Sequence, residues 1–466
     1  MRRFFLPWWL PPAFYFVLQM ARWRGFVFVN PDAATYLDFN LLIHTQRLPL
    51  FPLLVQALSD CGIEKLFAGQ CIAALSGALT LGVLAQCGKR LGLNRSTAWY
   101  ATATLAANPI FYLYGAQAMT ETTFLFLAAS TFLCFLRFLS SGHDFDLFWL
   151  IFVAGLSAAT RAEGFVFFPP VIWCVWRFVR RENRSLGLWL ASAGFASWSL
   201  VFFWYLSIVR RTGYFGEYFS HLAHPEWWNV LKHLAAYPLA VTANLYVFGL
   251  AFVRKGRREW RHNAGSSGAE SFFWLHYLFI ASWLGLAAHW YFDWRLTLIL
   301  SLWISLPAAL GMQVWRNGSD RARRLTQGAI ALMLLGGVLG GQLLIAQVKE
   351  LGDDIRRAAA VAARQAPTLT VLADELAMTS YHLGRQVRPY DQATILPKAL
   401  VILSSRQSDL AVEQKRLERT RTIVSLGDFR SRGPDGERRT VVWLISRRPE
   451  TTAAVPPTAG ATGPGD

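Results

Sequence analysis

Charged residues are scarce in this chain. Asp, Glu, Lys and Arg make up 16% of its 466 residues, against about 25% in a soluble domain. That scarcity excludes an ordinary water-soluble globule. Other patterns are missing too. The five cysteines, Cys61, Cys71, Cys87, Cys134 and Cys174, are scattered through apolar stretches. Their spacing fits neither a zinc site nor a disulfide framework, so they read as small core residues. There is no Gly-rich phosphate loop, nucleophile elbow or paired-His zinc motif. The period-two alternation of membrane β-barrel strands is absent, which leaves helices as the only way to span a bilayer.

What is present is apolar and aromatic: 54% hydrophobic and 15% aromatic residues. They come in blocks, such as Leu66–Gln86, Leu186–Val209, Leu296–Trp315 and Leu325–Val348. About 20 helical residues cross a hydrocarbon core. The blocks predict eleven spans, over 5–23, 66–87, 97–115, 119–138, 147–161, 164–179, 186–208, 235–253, 271–291, 295–315 and 325–348. The basic start and apolar run of residues 1–20 resemble a signal peptide. No small-residue cleavage site follows, so the segment reads as an uncleaved first span.

Basic residues orient these spans. Alternate connections hold nineteen Lys/Arg in one set and nine in the other. The richer set is expected in the cytosol. The N-terminus is then cytosolic, and an odd number of spans places the C-terminus outside. Of the +17 net charge, a surplus of fourteen lies before residue 350. The excess follows membrane topology and anionic lipid contact, and no nucleic-acid partner is implied.

The first outer loop, residues 24–65, carries Asn30-Pro31-Asp32 and then Tyr36. Pro31 can open a helix, and Asp32 suits its first turn. Asp32 and Tyr36 share a face. The following Leu/Phe/Pro stretch reads as an amphipathic segment at the membrane surface. Beyond residue 348 the character changes. Strands are expected over Thr368–Ala373, Ala399–Ser404, Thr422–Leu426 and Thr440–Ile445, with helices over Asp353–Arg364 and Asp374–Leu383. This predicts a small α/β domain over 349–448. The Pro/Gly/Ala/Thr-rich tail, 449–466, reads as disordered.

Ionisable groups within or beside spans default to a functional hypothesis. Glu121, Arg161, Glu163, Asp293, Arg295 and Asp32 all fall near the outer face in this topology. Each also has a plain structural reading. Asp32 also reads as a helix cap and Glu121 as a helix-terminal charge. Arg161 with Glu163 reads as a structural ion pair, and Arg295 as a side chain reaching up to headgroups. Tyr36 fits packing as well as binding. His44, His221, His224, His276 and His289 have no ligand-like spacing.

Four pieces together resemble the GT-C class of integral membrane glycosyltransferases. They are the Asp32…Tyr36 loop with its Leu-Pro…Phe-Pro-Leu-Leu stretch; Asn108-Pro109 through Thr120-Glu121; Thr160-Arg161-Ala162-Glu163-Gly164; and Arg295 ahead of Pro307. Within that class the chain is most similar to the lipid A aminoarabinose transferase and protein O-mannosyltransferase-like group, including RgtA/B/C/D-type proteins. Leu296 departs from the Tyr expected there, and Asp32 lacks the adjacent second acid of several members. The Thr-Glu and Thr-Arg segments also occur in GPI-mannosyltransferase-like relatives.

The resemblance implies an inverting transfer, outside the cytosol, from a polyprenyl-phosphate-linked sugar to a lipid, glycan or protein acceptor. It implies Asp32 as catalytic base, with Arg161 and Arg295 on the lipid phosphate. Glu121 and Glu163 would bind hydroxyls or orient the arginines, with Tyr36 beside the substrate. Some class members use a divalent metal, which leaves open an ion bridging Asp32 and Glu121; no metal ligands are assigned. The expected location is the cytoplasmic (inner) membrane, in contact with membrane lipids. A transporter or flippase is the competing class, and an O-antigen ligase or polymerase the closer rival.

Overall fold

A helix in hydrocarbon satisfies its own backbone, and the described part of the first 350 residues is helical. The computed structural model describes residues 9–23, 31–37, 48–182, 226–246, 249–260, 264–286, 293–348, 352–365, 367–405, 408–433 and 436–447. The chain divides into two units, Met1–Glu350 and Leu351–Asp466. The expected span 186–208 and the tail 449–466 lie outside the described residues.

The first unit is helical: α1 (Leu10–Trp23), α2 (Pro31–Leu37), α3 (Leu50–Asp60), α4 (Lys65–Arg90), α5 (Arg95–Ala106), α6 (Pro109–Tyr114), α7 (Glu121–Ser141), α8 (Asp144–Ala158), α9 (Phe168–Glu182), α10 (Trp227–Asn244), α11 (Gly249–Trp260), α12 (Ala264–Leu286), α13 (Thr297–Arg316) and α14 (Asp320–Val348). Short 3-10 turns cover Ala162–Phe167 and Trp294–Leu296. Among the described residues, four helices are long and apolar enough to cross a membrane, starting at Lys65, Glu121, Trp294 and Asp320. Counting α10 with α11 makes five. Of the other expected spans within the described residues, α1, α8 and α9 run only 14 or 15 residues, 97–115 is interrupted, and α12 is 23 residues long.

Two interruptions have clear physical causes. The stretch 97–115 breaks at Asn108-Pro109, because Pro109 has no N–H to continue the ladder. Asn108 instead caps α6, its Oδ1 accepting from Ile110 N at 2.8 Å. The stretch 235–253 bends by 100° between α10 and α11. No proline marks that point. Tyr246 takes φ 56° there, a left-handed conformation that costs an L-residue roughly 1–2 kcal/mol. Tertiary bonds offset it: Tyr246 Oη donates to Ala107 O at 2.9 Å, and Asn244 Nδ2 to Thr297 Oγ1 at 2.9 Å.

The core is aromatic. Phe132, Phe167, Phe272 and Trp303 meet edge to face where α7, α12 and α13 converge, a geometry that suits ring quadrupoles. α11 and α13 touch backbone to backbone. A Cβ on Gly256 would run into the Pro307 carbonyl, and one on Gly311 into that of Phe252.

The second unit is an α/β sheet in the order β2-β1-β3-β5-β4. Its strands are β1 (Val371–Ala373), β2 (Arg388–Pro389), β3 (Lys398–Ser404), β4 (Arg421–Gly433) and β5 (Gly436–Arg447). β1 pairs in parallel with β2 and β3; β5 runs antiparallel to β3 and β4. β3 is buried on both faces from Ala399 to Ser404, and the residues around it separate into two cores. One holds Val401, Leu403, Val441 and Trp443, and the other Leu400, Ile402 and Val442. Helices α15 (Asp353–Gln365), α16 (Leu376–Leu383) and α17 (Leu410–Glu418) complete the unit. β2 and α17 go beyond the elements expected from sequence.

α16 ends at Gly384, whose φ of 64° only glycine adopts freely. Next to that cap, burial and the nearby Arg356 hold His382 down to about 4, below its ordinary 6.5. The sign follows from linkage. Between pH 6.5 and about 4 the unfolded chain takes up a proton that folded His382 refuses. This unit should lose stability as pH falls through that window, with no further contribution below it. Amide exchange of the β3 and β5 strands across pH 7 to 4 would show it, and His382→Leu should flatten that component of the slope.

Candidate active site

The site is assembled from four helix ends. Asp32 lies in the first turn of α2, and Thr35 Oγ1 donates back to its carbonyl at 2.6 Å. Glu121 opens α7. Arg161 precedes the 3-10 turn that carries Glu163. Arg295 sits in the turn leading into α13.

Arg295 joins these segments. Its Nη1 donates to Asp32 Oδ2 at 2.6 Å and lies 3.7 Å from Glu121 Oε1. Its Nε donates to Asp293 Oδ2 at 2.7 Å, with Nη2 at 2.7 Å from the same oxygen. Asp293 also caps the turn, accepting from Arg295 N at 2.9 Å. Arg161 is held as firmly. Its Nη1 donates to Glu121 Oε1 at 2.8 Å and to Thr120 Oγ1 at 3.1 Å. Nε and Nη2 both donate to Glu163 Oε1, at 3.0 and 2.8 Å. The network thus runs Asp32–Arg295–Glu121–Arg161–Glu163, with Asp293 on Arg295.

Five of the six sequence candidates enter this network. Tyr36 does not join it by an ion pair. It is buried, packs edge to face on Phe51 at 5.8 Å, and lies within electrostatic range of Arg161. Three further groups belong here. Asp293 stood out as a charge but had no role. Thr120 stands at the N-cap position of α7, yet makes no cap bond and turns its hydroxyl to Arg161. Tyr114, at the end of α6, lies within electrostatic range of Arg295, Glu121, Asp293 and Asp32. No periodicity or spacing marked it; only the fold brings it in.

The local backbone explains the positions. Asn108 caps α6 and donates Nδ2 to Ser301 Oγ at 3.1 Å, tying α6 to α13. Leu50 N donates to Ala159 O at 3.1 Å, tying the start of α3 to the turn before Arg161. Gly164 allows that turn: a Cβ there would run into the backbone of Ser157 and Ala158. α3 buries Phe51, Pro52 and Val55 and exposes Leu53 and Leu54.

Two features define the chemistry. Four carboxylates (Asp32, Glu121, Glu163, Asp293) face two guanidinium groups, an excess of negative charge. Glu121 is 3% exposed, and its Oε2 is buried with no hydrogen-bond partner among the described residues. A buried acceptor of this kind is costly unless a donor reaches it. A metal bridging Asp32 and Glu121 would need the place that Arg295 Nη1 holds between them, so these residues do not fit a bridging ion. Among the described residues no three His, Cys, Asp or Glu side chains are placed to hold a metal.

A sequence profile described as dolichyl-phosphate-mannose-protein mannosyltransferase matches residues 46–205. ArnT from Cupriavidus metallidurans bound to undecaprenyl phosphate is similar in structure, with TM-score 0.66, 12% identity, and 92% of this chain and 97% of that one covered. ArnT in the apo state gives 0.63 and 13% over the same shares. No curated protein sequence matches. Profile and fold both support the resemblance to the GT-C class, and the fold is that of a multi-span membrane protein.

Gly164→Ala should push the Arg161–Glu163 turn off Ser157 and Ala158, costing roughly 1–3 kcal/mol as overpacking does. A thermal melt of the purified protein should fall by several degrees, and an unchanged melt would show that the turn has room.

Proposed function

We propose that this chain, with the fold of ArnT and of the GT-C class, is an inverting glycosyltransferase. It moves a sugar from a polyprenyl-phosphate donor to a lipid, glycan or protein acceptor on the outer side of the cytoplasmic membrane. The single observation that carries this reading is Asp32 bound to Arg295 at 2.6 Å. These residues lie 263 positions apart, yet they join Glu121, Arg161 and Glu163 in one network. A candidate base and the cations that a phosphate would need thus sit side by side.

The mechanism follows from charge accounting. Single displacement needs one base to take the acceptor hydroxyl's proton as the sugar carbon develops oxocarbenium character. Asp32 fills that role. The leaving group is a lipid phosphate, stable as an anion, so no strong general acid is required. A carboxylate held by a guanidinium is a poor base. In the structure Arg295 is shared between Asp32 and Asp293. A donor phosphate competing for Nη1 would draw Arg295 toward itself and release Asp32. Phosphate binding would then arm the base, and Arg295 would stabilise the departing charge.

Glu121 Oε2 would accept a hydroxyl of the sugar or acceptor. Arg161 and Glu163 hold Glu121 in place, and Tyr36 packs beside them. The apolar face of α3 would guide the prenyl chain. The second unit, Leu351–Asp466, would lie on the outer side. The alternative of a transporter predicts charges at the membrane midplane, whereas these charges gather at helix ends.

Asp32→Asn should lower transfer by about 10²–10⁴-fold, the usual contribution of a general base, with expression and melting unchanged. Radiolabelled donor turnover in membranes would measure it, and wild-type turnover would remove Asp32 from the reaction. Arg295→Lys keeps a charge but loses the fork. It should raise the donor KM by about tenfold or more and lower kcat less. An unchanged donor KM would argue against the phosphate role.

A further inference from the structure

The second unit has a cavity of its own. It measures about 300 Å³ and lies between α17 and the outer strands β4 and β5. α17 is a helix of nine residues, too short to cover this end of the sheet. Beside the cavity the register of β4 with β5 shifts between Ser425 and Gly427. Bulges of this kind re-aim side chains and often border sites. The floor is apolar, formed by Trp443, Val441 and Ile423. The rim is polar. Gln414 Nε2 donates to Glu418 Oε1 at 2.8 Å. Arg439 grips Asp428 through Nε at 3.0 Å and Nη2 at 2.8 Å.

These bonds leave specific atoms open to a ligand. Among the described residues, Glu418 Oε2, Gln414 Oε1, Ser425 Oγ and Arg439 Nη1 make no hydrogen bond. Acceptors and a donor therefore surround the apolar residues at the floor. Two carboxylates against one guanidinium, itself already paired, disfavour phosphates and other anions. A purely apolar tail would strand the polar rim. What fits both is a small molecule with one apolar C–H face and a ring of hydroxyls.

We propose that this cavity binds a single uncharged pyranose residue, with its C–H face on the Trp443 side and its hydroxyls on Glu418, Gln414, Ser425 and Arg439. Assigning that residue to the acceptor glycan rests on the glycosyltransferase reading; the pyranose pocket itself does not.

Saturation-transfer NMR on the full chain in nanodiscs tests this, with methyl α-D-mannopyranoside and methyl β-D-glucopyranoside as probes and glucose 6-phosphate as the anionic control. At least one neutral glycoside should give a signal from its ring protons, and the phosphorylated sugar a weaker one. Ser425→Trp, on an exposed strand position, should fill the cavity and abolish the signal. Glu418→Gln and Gln414→Ala, both on the exposed face of α17, should weaken binding by about tenfold and decide the matter if the tryptophan variant melts early. The proposal is overturned if neither glycoside binds, if the signal survives in Ser425→Trp, or if glucose 6-phosphate binds more tightly. Glycoside binding without any sugar transfer would sink the enzyme reading and leave the pocket standing. Transfer without glycoside binding would do the reverse.

Discussion

Glu121 is the group on which the rest of the first unit depends. Its carboxylate is almost fully buried, and one oxygen serves two arginines from distant parts of the chain. A buried charge is tolerable only when paired, and deleting one partner of such a pair typically costs about 3–5 kcal/mol. Glu121 thus obliges Arg161 and Arg295 to approach it. Those arginines then oblige Asp32, Glu163 and Asp293 to approach them. Four chain segments are drawn to one point because the buried Glu121 cannot be left alone in a low-dielectric surrounding.

Such a set holds its geometry only on rigid supports. Each charged residue sits in a helix first turn, in a 3-10 turn or at the residue that caps one, where exposed N–H groups favour carboxylates. The supports are tied to one another by bonds that carry no charge: Asn108 to Ser301, Asn244 to Thr297, and Leu50 to Ala159. Behind them the aromatic cluster of Phe132, Phe167, Phe272 and Trp303 fills the space between helices. The close approach at Gly256 and Gly311 fixes α11 against α13. The ion-pair network thus gives the site its specificity, and the glycine and aromatic packing gives it its precision.

The sequence made some of this legible and hid the rest, for identifiable reasons. Block apolarity marked Lys65–Arg90, Glu121–Ser141 and the helix after Arg295 as spans, since burial in lipid demands long apolar runs. Strand composition likewise marked β3 and β5. The bend at Tyr246 was hidden because tertiary hydrogen bonds, and no local breaker, hold the left-handed residue. α17 was hidden because its exposed face is charged and it is short. The isolated charges at span ends pointed to Asp32, Glu121, Arg161, Glu163 and Arg295. Their pairing could not be read, because it depends on contacts between residues such as 32 and 295. Tyr114 was invisible for the same reason.

Pairing also changes what the arginines mean. As isolated cations at an outer face they read as a ready phosphate clamp. With Arg161 taken by Glu121, Glu163 and Thr120, and Arg295 by Asp32 and Asp293, neither presents a free fork. An anion entering the site must displace a carboxylate. The one displaced at least cost is the one most able to turn to water. Glu121 is buried and Asp293 is locked to the Arg295 backbone, whereas Asp32 has a side chain 26% exposed and meets Arg295 through Oδ2. The same geometry that keeps Asp32 occupied therefore makes it the carboxylate that a phosphate would set free.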